Sequence, residues 1–357
     1  MPKQSVLTDA KHNKKDEFYT QLTDIEKELR YYKKHFAGKT VLCNCDDPFE
    51  SNFFKYFVLN FNRLGLKKLI CTSYVSSPIR GTIFEFFDDS ADNEVKKPYK
   101  AVVTTVYDKT GDGGVDMFDI EELFRSGENV LTELEGDGDF RSEECIELLK
   151  EADIVVTNPP FSLFRTYVGQ LIEYDKKFLV IGNINCITYK EIFPLLMNNQ
   201  AWLGNGMGRW ISGFIVPDSY ELYGTEAAIN SEGQRIVATN NCLWLTNLDI
   251  KKRHEELILV KRYSPDSYPA YDNYDAVEVS QTASIPCDYA GIMGVPITFM
   301  DKYNPDQFEL LGCSDNGAVP DELKLPHFKK HNEPYINGKK VYKRIFIRNK
   351  HPEEPLK

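Results

Sequence analysis

The run Asp153-Ile154-Val155-Val156-Thr157-Asn158-Pro159-Pro160-Phe161 closes an apolar, β-branched segment with two consecutive prolines. Just before it, Cys145, Ile146, Leu148 and Leu149 have helical spacing. The pattern predicts a helix, then a buried central strand, then an abrupt stop. Proline donates no backbone hydrogen bond and holds the residue before it in an extended conformation. Asn158 and the Pro159 carbonyl are therefore expected to stand rigidly at the carboxyl end of a strand. In an open α/β sheet that is where ligands bind. Phe161 follows as an exposed flat ring.

These groups suit one chemistry. An exocyclic amine on a purine is a poor nucleophile, because its lone pair is delocalised into the ring. Two acceptors, the Asn158 side-chain oxygen and the Pro159 carbonyl, can take its two hydrogens and raise the electron density on nitrogen without a strong base. Phe161 can stack on the base, as enzymes that extrude a base require. The plain alternative is a strand-to-loop turn, for which proline is a common punctuation.

At 357 residues the chain can bury a full core, and a larger domain with a smaller one is the natural division. Eight cysteines include no Cys-x-x-Cys pair. With no signal-peptide or membrane-spanning run, the chain reads as a cytoplasmic protein with reduced thiols and no membrane association. The net charge of −11 is unevenly spread. Residues 108–153 hold sixteen Asp/Glu against four Lys/Arg, whereas residues 324–350 hold nine Lys/Arg against one Glu. That basic tail is a candidate phosphate-binding surface.

Residues 1–15 are polar and basic and read as disordered. A helix is expected after Gln21, with Thr23 and Glu26 at capping-box spacing and Leu22, Ile25, Leu29 and Tyr32 or Phe36 on its buried face. Thr40 to Cys45 reads as the first strand. It runs into the acidic turn Asp46-Asp47-Pro48-Phe49-Glu50-Ser51-Asn52, and a helix begins at Phe53. A strand, a tight turn and a helix N-terminus can cradle a cofactor: the helix end faces a carboxylate and an acid holds an ammonium group. The second strand, Leu66 to Thr72, is followed by Ser73 and Tyr74, where an adenosine-binding sheet usually has an acid for the ribose. Ala101 to Tyr107 reads as an inserted strand. Asp139 can accept from an adenine amine, and Phe140 can stack on that ring. Further on, Leu163–Tyr174, Lys177–Gly182 and Lys190–Met197 continue the β–α alternation of a doubly wound sheet, and Cys242–Thr246 is a late strand. Gly204 to Gly208 reads as a mobile loop.

Asp108, Asp112, Gly113, Val115 and Asp116 match positions of a calcium-binding EF-hand loop. The preceding segment reads as a strand rather than a helix, so an acidic turn leading into a helix over Ile120–Arg125 is preferred. His327 and His331 have metal-compatible spacing with no third ligand, so no metal site is assigned.

Taken in order, Lys15-Asp16-Glu17-Phe18-Tyr19-Thr20-Gln21, Cys43-Asn44-Cys45-Asp46-Asp47-Pro48, Ser51 to Phe57, Leu64 to Ile70 and Asn158-Pro159-Pro160-Phe161 form a specific set. With it the chain closely resembles the EcoRI-type adenine-N6 DNA methyltransferases over most of its length. The resemblance implies a Rossmann-like methyltransferase sheet, S-adenosylmethionine (SAM) as methyl donor and an adenine flipped out of duplex DNA. By motif, Phe18, Tyr19, Thr20, Cys45, Asp46, Asp47 and Pro48 belong at the methionine end of the cofactor. Asp139 and Phe140 belong at its adenine, and Asn158, Pro159, Pro160 and Phe161 at the target base. Residues 16–250 are then the catalytic domain and 251–357 a C-terminal DNA-recognition region. There, Asn337-Gly338 reads as a hairpin turn, in a β-ribbon carrying Lys339, Lys340, Lys343, Arg344 and Arg348 along the duplex. Residues 204–213 and the aromatic stretch after Lys261 are candidates for reading bases. A monomer is expected, either solitary or beside a cognate restriction endonuclease that acts on the same site without direct binding. Competing readings are a methyltransferase for an RNA base or a protein glutamine, and an inactive DNA- or calcium-binding protein.

Overall fold

The structure is a computed structural model and describes residues 19–45, 51–73, 98–216, 227–315, 319–326 and 333–354. Phe18, Asp46, Asp47, Pro48, His327, His331 and the segment 1–15 lie outside those residues. The chain divides into two compact units, Met1–Asn183 with Gly206–Leu248, and Ile184–Asn205 with Asp249–Lys357. The second unit thus takes 184–205, which the sequence alone places in the first.

The first unit contains, in order, β1 (Tyr19–Thr20), α1 (Leu22–Leu29), β2 (Thr40–Cys43), α2 (Asn52–Leu59), β3 (Lys68–Thr72) and β4 (Tyr99–Val103). Next come α3 (Met117–Arg125), β5 (Val130–Glu133), α4 (Glu143–Glu151), β6 (Ile154–Thr157), α5 (Phe164–Glu173) and β7 (Lys177–Asn183). After β8 (Trp202–Met207), in which the chain returns to this unit, follow β9 (Phe214–Ile215), β10 (Ala227–Ile229), β11 (Arg235–Val237) and β12 (Cys242–Thr246). The main sheet has eight strands in the order β5-β4-β3-β2-β6-β7-β12-β8.

Strands β3, β2, β6 and β7 run parallel, and β4 and β12 flank them antiparallel. Every residue of β2, β6 and β12 is buried, as strands covered on both faces should be. Burying side chains such as Val155 and Val156 contributes about 1.5–3 kcal/mol each. From β2 the chain builds outward through β3, β4 and β5, then crosses back to place β6 on the other side of β2. The strand order reverses between β2 and β6, and both strands end on the same edge of the sheet. A second sheet, β1-β9-β11-β10, is small and antiparallel.

Several local expectations need correction. Helix α1 is capped at Gln21 rather than Thr23, and no side chain makes the cap bond; the Gln21 amide is engaged by Ser212 and Gly213. Both Tyr32 and Phe36 are buried, so both extend the apolar face. Residues 204–207 are not a loop but the end of β8, and the Gly206 N–H donates to the buried Glu28 carboxylate at 2.8 Å. The inserted strand is Tyr99–Val103; the backbone amides of Thr104 and Thr105 donate to the Asn129 side chain instead. The helix expected over Lys190–Met197 is reduced to Phe193–Met197.

The second unit has a sheet of β13 (Val277–Glu278), β14 (Met293–Pro296), β18 (Arg344–Asn349) and β15 (Phe308–Cys313), in that order. Its core includes Tyr271, Tyr274, Ala276, Val319, Leu323 and Phe346. A separate hairpin pairs β16 (Tyr335–Ile336) with β17 (Lys339–Lys340) through Asn337 and Gly338, both at positive φ. Arg344 and Arg348 therefore belong to the four-stranded sheet, and the expected single basic ribbon does not form. Arg344 is buried, with its guanidinium donating to both oxygens of the buried Glu278 at 2.7 and 2.9 Å. A cation engaged in this way is not a surface phosphate contact.

Candidate active site at the carboxyl ends of the central strands

β6 delivers Asn158, buried to 8 % exposure, to the edge of the sheet where the strand order reverses. Pro159 is buried and Pro160 half-buried. The Pro160 carbonyl accepts from Leu163 N at 3.0 Å, which closes the turn into α5. Phe161 is half-buried rather than fully exposed, and its ring meets Phe214 edge-on, with centroids 6.0 Å apart and planes at 70°.

Phe214 links this corner to the start of the chain. Thr20 of β1 is paired with Phe214 and Tyr19 with Ile215. The Thr20 carbonyl accepts from the Asn52 side chain at 2.8 Å. Asn52 opens α2, whose N-cap Ser51 accepts from Phe53 N at 3.1 Å. The Tyr19–Thr20 segment, the helix after the acidic turn and the Asn158–Phe161 turn are thus brought together within one unit.

The next group lies at the ends of β2 and β3. Cys43 and Cys71 are register partners, so Asn44 and Thr72 sit side by side, one residue further along parallel strands. Tyr167 of α5 donates its hydroxyl to Asn44 Oδ1 and sets its ring edge-on to Phe140, with centroids 5.0 Å apart. One turn later, Gln170 donates to the Phe140 carbonyl at 3.2 Å. Sequence reasoning passed over Tyr167 and Gln170; their spacing of three on α5 was the available signal. Gly138 lies against β3 so closely that a Cβ there would sit 2.2 Å from the Ser73 carbonyl oxygen. That contact brings the Gly138–Phe140 turn to the same edge as Asn44 and Thr72.

The expected adenine contacts have other neighbours here. Asp139 is ion-paired with Arg141, which holds its carboxyl below the usual range. Phe140 is buried, with the Arg141 guanidinium 5.4 Å from its ring centroid. Ser73, the first residue after β3, accepts from the Tyr99 amide through its hydroxyl at 3.1 Å. Cys45 is half-buried beside Asn44.

Two buried polar atoms at these adjacent strand ends, Asn44 Nδ2 and Thr72 Oγ1, have no hydrogen-bond partner, and neither has Thr20 Oγ1 of β1. Buried polar atoms are costly when unsatisfied. Such atoms at strand ends suit a ligand carrying several polar groups. The acidic turn at Asp108–Asp119 is satisfied internally instead: Asp108 accepts from Gly111 and Gly113, and Asp119 from Lys109, Thr110 and Asp116. Among the described residues no group of three or more His, Cys, Asp or Glu could hold a metal ion. No helix among them is long and apolar enough to cross a membrane.

A family model described as "Adenine-specific methyltransferase EcoRI" matches residues 6–350. The chain belongs to this family. It is 52 % identical to the type II methyltransferase M.EcoRI of Escherichia coli over 97 % of its own length and 96 % of the relative's. It is 37 % identical to M.MgeORF184P of Mycoplasma genitalium, over 95 % of this chain and 97 % of that protein. It is 36 % identical to M.MpnI of Mycoplasma pneumoniae, over 96 % and 97 %. Both Mycoplasma proteins are likewise type II methyltransferases by name. No solved structure matches the chain. As a member of this family the protein is an adenine-specific type II methyltransferase, built on a mixed α/β sheet.

Proposed function

We propose that the protein transfers a methyl group from SAM to the N6 amine of an adenine turned out of duplex DNA at one specific sequence. The observation that carries this reading is the placement of Asn158-Pro159-Pro160-Phe161 at the carboxyl end of β6, beside the reversal of strand order at β2. Open α/β sheets bind ligands at such a point, and a Rossmann-like methyltransferase sheet is the reading of the strand order that we favour. SAM supplies an electrophilic methyl group on a sulfonium sulfur. Asn158 Oδ1 and the Pro159 carbonyl accept the two amine hydrogens and localise the lone pair on nitrogen; transfer would break the sulfonium S–CH3 bond to leave a neutral thioether, and the amine would release one of its two hydrogens as a proton to water. Phe161 stacks on the base and keeps it out of the helix. Asn44, Thr72 and the Tyr19–Thr20 segment hold the cofactor at the adjacent strand ends. The acid for its ammonium group is Asp46 or Asp47.

The second unit is then the target-recognition region, and Lys339, Lys340 and Lys343 are its candidate phosphate contacts. Lys339 and Lys340 are exposed at the hairpin; Lys340 pairs with Glu333, and Lys343 pairs with Asp315. Arg348 reaches Glu309 at 2.9 Å. The decisive experiment is methylation sequencing of DNA from cells expressing the chain, beside an Asn158→Ala control. N6-methyladenine at a single sequence context is expected with the wild type and its near-absence with the variant. Wild-type methylation in Asn158→Ala would sink the mechanism, and no methyladenine with the wild type would sink the function.

A further inference from the structure

Two carboxylates on α1, Asp24 and Glu28, are fully buried, and the proposed reaction uses neither. A buried carboxylate is costly unless it is well hydrogen-bonded. Both of these are bonded to the returning stretch 206–213. Glu28 accepts from Gly206 N at 2.8 Å and from the Tyr32 hydroxyl at 2.8 Å. Asp24 Oδ2 accepts from both the backbone N and the Oγ of Ser212, at 2.8 and 2.7 Å, while Oδ1 takes Lys27 at 3.3 Å. Gln21 completes the clasp, its amide nitrogen donating to Ser212 Oγ at 2.7 Å and to the Gly213 carbonyl at 3.1 Å. Gly213 has φ +147, and a Cβ there would lie 2.6 Å from the Val237 carbonyl oxygen, so its backbone is seated directly on the neighbouring chain segment.

The clasp ends one residue before Phe214, the ring that meets Phe161 edge-on. Apolar side chains at positions 24 and 28 would bury that face of α1 at lower cost. What the charges add is a fixed position for the backbone at Ser212. We infer that Asp24 is a positioning residue for base capture: through Ser212 it fixes Phe214, and through Phe214 the face that Phe161 offers to the extruded adenine. This rests on the reading of Phe161 as the base-stacking ring.

Ser212 is exposed, so Ser212→Ala removes the clasp's hydroxyl without touching the core. The test uses the full chain and a duplex bearing the site found by methylation sequencing, with 2-aminopurine in place of the target adenine. Ser212→Ala should lose about ten-fold in kcat/KM for DNA, the scale of one charge-assisted hydrogen bond. It should also lose most of the fluorescence rise that marks extrusion, with SAM affinity unchanged and the protein still fully folded at the assay temperature, although its melting temperature falls by a few degrees. Ser212→Thr, which keeps the hydroxyl, should restore both. Asp24→Ala should reproduce the fluorescence loss. Wild-type fluorescence and kcat/KM in Ser212→Ala overturn the inference. So does a loss that runs in parallel with SAM affinity, or one that the unfolded fraction at the assay temperature accounts for, since the clasp would then serve the cofactor segment or the scaffold. Failure of the underlying reading is a separate result, a wild-type fluorescence rise and KM for DNA in Phe161→Ala.

Discussion

Arg344 shows how far a residue's type is from its role. In the sequence it is one cation of a basic tail; in the fold its side chain turns inward from β18 to Glu278, which also accepts from the Tyr271 hydroxyl. Burial, and the Glu278 charge beside it, push the Tyr271 hydroxyl well above its ordinary value, so it stays protonated and keeps donating. Arg344→Ala would strand Glu278 as a buried charge and should cost about 3–5 kcal/mol in urea unfolding. The salt dependence of DNA binding should stay as it is in whatever fraction remains folded. A flattened salt dependence would return Arg344 to the DNA surface. Phe161 makes the opposite case, since its ring is half-buried and still accessible. Phe161→Ala should weaken base capture, read as a raised KM for DNA, while leaving SAM affinity unchanged in calorimetry.

Helix α3 is set by side chains that also look like metal ligands. Asp116 caps it and Asp119 completes a capping box. Asp119 accepts backbone hydrogen bonds from Asp116, Thr110 and Lys109, which lower its pKa. The sign follows from linkage: a carboxylate depressed in the folded state stabilises above its unfolded value of about 3.9, and that stabilisation fades as pH falls through the folded value. Asp119→Asn should therefore be less stable than wild type at pH 7, with the gap closing below about pH 4. Denaturant unfolding at both pH values measures it. A gap that is constant with pH would mean that charge plays no part in the cap.

For the molecule as a whole, charge is segregated along the chain. Residues 108–153 repel phosphate, and residues 324–350 attract it. Neutralising Lys339, Lys340 and Lys343 together should weaken binding to cognate and random duplexes alike. It should flatten the log–log salt dependence by about one unit for each phosphate left without its cation. Since Lys340 and Lys343 already have carboxylate partners, the change should fall short of three full units. A slope identical to wild type would remove the tail from the DNA interface.

The parallel strands at β2, β3, β6 and β7 were legible in the sequence, because a doubly covered strand needs an unbroken apolar run and Asn-Pro-Pro can only end one. The Asn337-Gly338 turn was legible too, since few residues accept positive φ at both positions. Side-chain partners were not legible. Whether the Gln21 side chain bonds its own helix end or reaches Ser212, whether Arg344 meets Glu278 or solvent, and whether Gly204 to Met207 hang loose or pair as β8 depend on contacts between residues far apart in the chain. Local sequence determines period, stops and turns, because these follow from backbone sterics and the burial of one face. Only the tertiary structure decides which buried polar group meets which, because each such group takes the partner that the packed chain brings within about 3 Å.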